Sequence, residues 1–356
     1  MTSGTEPTAG AETSTVAEAE PPATRQPDES VPVFQRFMEI VGPFWTLGVL
    51  ILLIVIFGIL APSLYSKAAW LSTSNYAVEY LILAIGETFV IITAGIDLSV
   101  GATLGFSGML GSQLMQHMLG AHDGSAEVAI LGVAVMLASG IAIGVLNGLL
   151  ITRIKLPPFI VTLGTLTALG GATDLLNNAT EITTLPSFVT DLGTDSVLNG
   201  WLPLPVLISL VIAIVFGLIL ARTRFGMRTY AIGSNEIATR RAGVRVDRHL
   251  VYVYAIAGLM GAIAGLMVTA NFSAASPLAG QNDELYAIAA VVIGGASIFG
   301  GRGTIFGTVI GTAILSILTT GLVLINLQTF WQQVAIGAVV IIAVAVDRVR
   351  TRAGTD

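Results

Sequence analysis

The 356-residue sequence contains no cysteine, which excludes disulfides and thiolate metal sites. Only 11% of its residues are charged, whereas a soluble domain usually carries about a quarter, so a soluble protein of this size is excluded. Its three histidines match no metal-binding spacing. The two lysines, Lys67 and Lys155, follow Ser66 and Ile154, so the Gly-Lys-[Ser/Thr] part of a nucleotide-binding loop is missing. We therefore expect no metal site and no nucleotide site on this chain.

Apolar residues make up 54% of the sequence, and the mean hydropathy is +0.85. They occur in continuous runs rather than in the short alternating segments of an outer-membrane barrel. Because a helix needs about 20 apolar residues to cross a bilayer, the pattern predicts an all-α polytopic membrane protein with about ten transmembrane helices. The predicted segments are 43–61, 76–95, 99–118, 127–151, 158–178, 203–221, 250–272, 284–299, 304–324 and 330–347.

The distribution of basic residues supports this number of spans. With the N-terminus in the cytoplasm, every lysine and arginine except Lys67 falls on the cytoplasmic side. Since cytoplasmic loops carry an excess of Lys and Arg, both termini are predicted to be cytoplasmic. Residues 1–35 are acidic and rich in Pro, Thr and Ala, which predicts a disordered cytoplasmic tail. The transmembrane domain is expected at 36–350, followed by a C-terminal tail at 351–356.

The segment 222–249 is the longest polar interruption on the cytoplasmic side, and a short helix is predicted within it. Ser234 or Asn235 is suited to cap its N-terminus. Glu236 in the first turn and two arginines in the last turn match the helix dipole, and Gly243 suits the left-handed position after the helix. A helix of about eight residues does not persist alone in water. A protein partner or lipid head groups must hold it, and physical reasoning alone leaves both open.

Glycines recur at every fourth position in three predicted helices. Such ridges let helix backbones approach closely, so they predict packing surfaces, with a gating role as the alternative. The ridges are Gly140, Gly144 and Gly148; Gly261 and Gly265; and Gly303, Gly307 and Gly311.

Three stretches resemble ribose-type ABC importer permeases, which belong to the branched-chain-amino-acid/ribose permease superfamily. They read AIGSNEIATRRAGV at 231–244, TAGIDLSVG at 93–101 and ELYAIAAVVIGGASIFGGRGT at 284–304. Their order and spacing also fit the family, and the resemblance covers roughly residues 40–350. The acidic tail departs from the short N-terminus usual in the family. The resemblance implies the compact type II fold, with ten helices per protomer and two protomers around a central path.

The resemblance also implies a function. Such permeases are non-catalytic, dimeric subunits in the bacterial plasma membrane. They receive a monosaccharide from an extracytoplasmic binding protein and are driven by a cytoplasmic, tandem-domain ATPase that binds ATP and Mg. The same partners are implied here, in contact with membrane lipid, with no nucleic acid and no cofactor on this chain. Coupling to the ATPase is implied for Gly233, Ser234, Asn235, Glu236, Ala238, Thr239, Arg240, Arg241 and Gly243.

A sugar pathway needs hydrogen-bonding groups, because a permanently apolar pore would leave sugar hydroxyls unpaired. Asp97 and Ser99 lie between Gly95 and Gly101, where the chain breaks a helix within the membrane or turns at its inner face. Both side chains are suited to cap the next helix. For every candidate, a structural hydrogen bond is the alternative to pore lining. The candidates are Asn75, Glu87, Thr93, Asp97, Ser99, Asn147, Thr162, Thr165 and Asn271.

Other function classes fit the sequence less well. A proton-coupled secondary transporter would work without an ATPase, but the acid-poor bundle, the ten spans and the helix in 222–249 argue against it. Within the ABC class, related permeases carry nucleosides, branched-chain amino acids or a signalling furanose, and the sequence does not choose among these substrates. An integral-membrane enzyme is disfavoured because no catalytic cluster is found.

Overall fold

The structure, a computed structural model, describes residues 45–119 and 126–353, which are mostly helical. The predicted tail at 1–35 lies outside the described residues. A 3₁₀ turn occupies Pro62–Tyr65, and two short strands, β1 (Ser196–Val197) and β2 (Leu202–Pro203), pair antiparallel. The described helices are α1 (Trp45–Leu60), α2 (Lys67–Ile92), α3 (Val100–Leu119), α4 (Ala126–Arg153), α5 (Pro158–Leu176), α6 (Ser187–Thr194), α7 (Leu204–Arg222), α8 (Arg224–Ser234), α9 (Glu236–Arg241), α10 (Val246–Phe272), α11 (Asp283–Ile293), α12 (Ile305–Leu324) and α13 (Thr329–Ala353).

Six of the described helices are long and apolar enough to cross a membrane, namely α2, α4, α5, α7, α10 and α12. This result confirms the prediction of a multi-pass α-helical membrane protein. Each of the ten predicted segments overlaps a described helix, but α1 is shorter than the six, with 16 residues. The count of ten crossings therefore stays a prediction.

The predicted span 284–299 is wrong at its C-terminal end, because α11 ends at Ile293. A helix of 11 residues rises about 16 Å, roughly half of the ~30 Å hydrocarbon core. The chain then turns through three glycines in the left-handed region, where φ is +93° at Gly295, +87° at Gly300 and +75° at Gly301. Residues with a Cβ rarely adopt this conformation, so the glycines that follow α11 stop the helix.

α2 is the central helix of the bundle. All of its residues from Tyr80 to Ile92 are buried, because α10, α11, α12 and α7 pack around it. A helix that is apolar on all sides is typical of such a buried position. Thr88 is one of the few polar residues in this stretch, and its hydroxyl lies 2.7 Å from that of Thr308 in α12.

α4 and α10 approach so closely that glycine is required where they cross. A Cβ added at Gly140 would collide with the carbonyl oxygen of Gly258, and one added at Gly144 would collide with that of Tyr254. The prediction of a packing surface is confirmed for the glycine ridge of α4, whereas Gly261 and Gly265 of α10 pack against α3 instead. The close crossing fixes α4 beside α10, and α4 carries one of the predicted pathway residues.

Candidate functional site

α9 is a helix of six residues, shorter than predicted, and its own sequence caps both ends. The side chain of Asn235 accepts a hydrogen bond from the backbone N–H of Ala238 at 2.9 Å, which is the geometry of an N-cap. Ser234 instead donates to a backbone carbonyl one turn earlier at 2.9 Å, so Asn235 is the cap that forms. Gly243 follows the helix with φ of +85°, as predicted for its left-handed position.

Arg240 connects α9 to the start of α10. Its Nη2 lies 2.8 Å from Oε1 of Glu236 and 2.7 Å from Oδ1 of Asp247, and Asp247 also contacts Nζ of Lys155 at 3.3 Å. Hydrogen bonding to Asp247, and then to Glu236, raises the pKa of the Arg240 guanidinium above its usual value. Since these side chains are partly exposed, the network adds little stability. It links α9 to the start of α10.

One face of α9 packs on α8, and the other face is exposed. Thr239 is 7% exposed, and its Oγ1 donates to the carbonyl oxygen of Ala231 in α8 at 2.8 Å. Ile237 is 68% exposed on the outward side. α9 therefore has one anchored face and one outward face. We call the exposed residues Glu236, Ile237, Ala238 and Arg241 the α9 surface.

Backbone contacts join the end of α8 to the end of α2. A Cβ added at Gly233 would collide with the carbonyl oxygen of Ile92, the last residue of α2. The same oxygen accepts a hydrogen bond from the N–H of Gly301 at 2.9 Å. The Cβ position of Gly300 lies 2.9 Å from the side chain of Ala94. Three chain segments thus meet at Ile92, Gly233, Gly300 and Gly301, which we call the glycine junction.

Polar side chains are buried in the segment between α2 and α3, although Ala94 in the same segment is exposed. Asp97 and Ser99 are both 1% exposed. Oδ1 of Asp97 accepts hydrogen bonds from the backbone N–H of Ser99 at 2.9 Å and from its hydroxyl at 2.6 Å. A carboxylate that binds the backbone two residues further on closes a turn. Asp97 therefore orders the turn that leads into α3.

Two further helices extend this buried group of polar side chains. Oγ of Ser99 accepts from Nδ2 of Asn147 in α4 at 2.9 Å, and Oδ1 of Asn147 accepts from Oγ1 of Thr165 in α5 at 2.6 Å. We call Asp97, Ser99, Asn147 and Thr165 the polar chain. Thr162, one turn earlier in α5, donates to the backbone carbonyl just before Asp97 at 3.3 Å. The structure thus brings five of the nine predicted pathway residues together.

The other four predicted pathway residues do not belong to this hydrogen-bonded group. Asn75 of α2 and Asn271 of α10 line a cavity of about 170 Å³ together with Glu79. Thr93 donates to a backbone carbonyl three residues earlier at 2.8 Å. Glu87 is fully buried in α2, and neither of its carboxyl oxygens has a hydrogen-bond partner among the described residues. Within the described part of the chain, the nine residues do not form one continuous line.

A second polar cavity has no signature in the sequence. It measures about 320 Å³ and lies between α3, α5 and the segment before α11. Thr167, Thr173 and Asp174 of α5 line it, together with Asn282 and Glu284. Sequence patterns assign Asp174 and Glu284 to the ends of separate helices, and packing alone places them at one cavity.

Long apolar helices around buried polar side chains, with a short capped helix at one end, form the arrangement of a membrane transport component. The chain belongs to the family described as branched-chain amino acid transport system / permease component, which matches residues 70–344. It is therefore a multi-pass inner-membrane permease and not an enzyme.

Several relatives are similar to this chain over nearly their whole length. The ribose import permease protein RbsC of Bacillus subtilis (strain 168) is 40% identical over 318 residues, which are 88% of this chain and 94% of the relative. The D-allose transport system permease protein AlsC of Escherichia coli (strain K12) is 37% identical over 321 residues, 88% of this chain and 93% of the relative. The galactose/methyl galactoside import permease protein MglC of the same strain is 32% identical over 317 residues, 85% and 94% respectively. These relatives confirm the resemblance to ribose-type permeases. No solved structure matches the chain.

Proposed function

We propose that this chain is the membrane-spanning subunit of an ATP-driven importer, and that its substrate is a monosaccharide delivered by an extracytoplasmic binding protein. The observation that carries the proposal is similarity over 93–94% of the length of permeases named for D-allose, ribose and galactose. The polar chain and the two polar cavities support it, because a sugar needs hydrogen-bonding partners while it crosses apolar surroundings.

The proposed architecture has ten crossings in the type II arrangement, with both termini in the cytoplasm of a bacterial cell. The overlap of a described helix with each of the ten predicted segments supports this count. α11 is too short to cross alone, so we assign the rest of its crossing to the glycine-rich turn after Ile293. Ala296 and Ser297 in this turn are buried, and non-helical backbone is tolerated at membrane depth where it is covered by protein or lines a water-filled cavity. A second copy of the chain completes a homodimer around the central path.

The α9 surface is the proposed docking site for the cytoplasmic ATPase. Its anchored face connects through α8 to the glycine junction, which includes Ile92, the last residue of α2. The segment that follows α2 holds Asp97 and so begins the polar chain. Because the contact between Gly233 and Ile92 is made by backbone atoms, a displacement of α9 passes to this segment without a flexible side chain between them.

ATP and Mg bind the partner in this proposal, a tandem-domain ATPase on a separate chain. This chain then contributes no cofactor site and acts through its contacts with the ATPase, the binding protein, its second copy and the surrounding lipid.

Uptake into vesicles tests the proposal. The chain is reconstituted with a candidate ATPase and a candidate binding protein, and uptake of labelled ribose, allose and galactose is measured. We expect uptake of at least one sugar that requires ATP and both partners and that persists when the proton gradient is collapsed. Uptake by the chain alone, driven by a proton gradient, would contradict the proposal and identify the chain as a secondary transporter. ATP-driven uptake of a nucleoside or an amino acid, and of none of the sugars, would refute the monosaccharide substrate.

Cysteine labelling tests the topology, and the absence of native cysteine makes each single-cysteine variant unambiguous. An impermeant maleimide added to sealed cells should label cysteines at Ser187 and Ser276 and should leave one at Arg350 unlabelled until the cells are opened. Labelling at Arg350 in sealed cells would contradict cytoplasmic termini.

A further inference from the structure

A lateral groove of about 550 Å³ lies between α7 and α12, and its lining is almost entirely apolar. Ile214 and Leu218 of α7 are 63% and 56% exposed, and Phe306 of α12 is 74% exposed. Both helices are candidate membrane spans, so the groove opens toward hydrocarbon rather than water. A groove of this composition at this depth is suited to an apolar occupant.

One end of the groove is basic. Arg222 and Arg302 lie within two residues of positions that line the groove. Both are exposed, and neither forms an ion pair among the described residues. All lining residues belong to the stretches 196–235 and 285–346, which contain no Asp or Glu. No acidic residue within these two stretches offsets the positive charge of Arg222 and Arg302.

A tyrosine closes the same end of the groove. Tyr230 lines it, and the phenol hydroxyl donates to the carbonyl oxygen of Gly303 at 2.7 Å. Tyrosine is enriched at the boundary between membrane and water. This hydrogen bond holds the segment before α12, which carries Arg302, against α8.

We propose that the groove binds one acyl chain of an anionic phospholipid, with the phosphate group between Arg222 and Arg302. The apolar lining holds the chain, and the basic end selects a negative head group over a zwitterionic one. Each arginine near the head group should raise the affinity of the site for an anionic lipid about fivefold. The site is separate from the α9 surface and from the polar chain, so it does not depend on the proposed transport function.

Native mass spectrometry of the full chain in detergent tests the site. The protein is titrated with phosphatidylglycerol or phosphatidylcholine of the same acyl composition, and the bound fraction gives the affinity. Gly217→Leu fills the groove, since the Cβ position at Gly217 lies 3.6 Å from Cβ of Ile305, an ordinary contact. Arg302→Gln removes one charge. Gly48→Leu on α1 and Arg248→Gln at the start of α10 are the matched controls.

We expect the unmodified chain to prefer phosphatidylglycerol. Arg302→Gln should weaken that lipid about fivefold and phosphatidylcholine by less, because the choline ammonium offsets the charge of its phosphate. Gly217→Leu should weaken both lipids, and the controls neither. Equal affinity for the two lipids would overturn the proposal. So would undiminished binding in Gly217→Leu. If Gly217→Leu instead lowers the mass of the protein oligomer and leaves lipid binding intact, the groove is a protein interface and the lipid assignment is wrong.

Discussion

The α9 surface and the polar chain differ in sequence separation and in burial. The hydrogen bonds that cap α9 and link it to α10 join residues three to seven positions apart, and their side chains are at least partly exposed. In the polar chain, Ser99 and Asn147 are 48 positions apart, and both are buried. An exposed hydrogen bond competes with water, whereas a buried one has no such substitute. Changes in the polar chain should therefore lower stability, and changes on the α9 surface should affect mainly contact with another molecule.

The glycine junction lies between these two regions and provides the strongest test of whether they are connected. The expected loss in free energy of unfolding decreases from Gly233→Ala through Asn147→Leu and Gly243→Val to Glu236→Arg. Stability is measured by unfolding in detergent, and coupling by binding-protein-stimulated ATP hydrolysis and uptake in vesicles.

Gly233→Ala should have the largest effect. The added Cβ would collide with a backbone carbonyl that cannot rotate away, and overpacking of this kind costs about 3 kcal/mol. Uptake should fall with stability, since the junction connects α9 to α2. Gly48→Ala is the control, because no described atom lies within 4 Å of its Cβ position. Unchanged stability and uptake in Gly233→Ala would show that the junction is not rigid.

Asn147→Leu should have the next largest effect. The side chain is fully buried and makes two hydrogen bonds, to Ser99 and to Thr165, so their loss should cost about 2 kcal/mol. Thr165→Val removes only one of the two and should cost about 1 kcal/mol. If the two variants are equally stable, the polar chain does not act as a connected group.

Gly243→Val should have a smaller effect, confined to the end of α9. No described atom lies within 4 Å of the Cβ position, so the cost arises from the left-handed backbone alone, about 1–2 kcal/mol. We expect reduced stimulation of ATP hydrolysis by a well-folded protein. Gly243→Asn should be closer to the unmodified chain in stability and in stimulated ATP hydrolysis, because asparagine tolerates the left-handed conformation. Equal loss in both variants would point to a cause other than backbone conformation.

Glu236→Arg should lower stability least among these variants. It should nevertheless clearly reduce coupling to the ATPase. The lost ion pair with Arg240 is exposed and contributes about 1 kcal/mol at most. Reversal of charge at a docking surface should reduce stimulated uptake about tenfold. Glu127→Arg in the first turn of α4 is the control for an added exposed arginine. If the α9 surface binds lipid head groups instead, the extra arginine should leave uptake unchanged or raise it slightly.

Local patterns predicted α9 well and α11 poorly. Asn235 and Gly243 were recognisable because caps depend on residues within one turn of the helix. The end of α11 was misplaced because hydropathy does not show where a run of apolar residues and glycines leaves the helical conformation. The left-handed turn at Gly295 and Gly300 is visible only in the backbone.

Composition and short-range spacing determined the membrane class, the helical fold, the capped helix and the glycine packing surfaces, since each depends on neighbours in sequence or on the solvent that surrounds a helix. Tertiary structure alone decided which polar residues meet. It joined Asp97, Ser99, Asn147 and Thr165 and left both carboxyl oxygens of Glu87 without a hydrogen-bond partner among the described residues. Side chains from separate helices come together only when the helices pack at particular distances and rotations. No local pattern in the sequence specifies those distances.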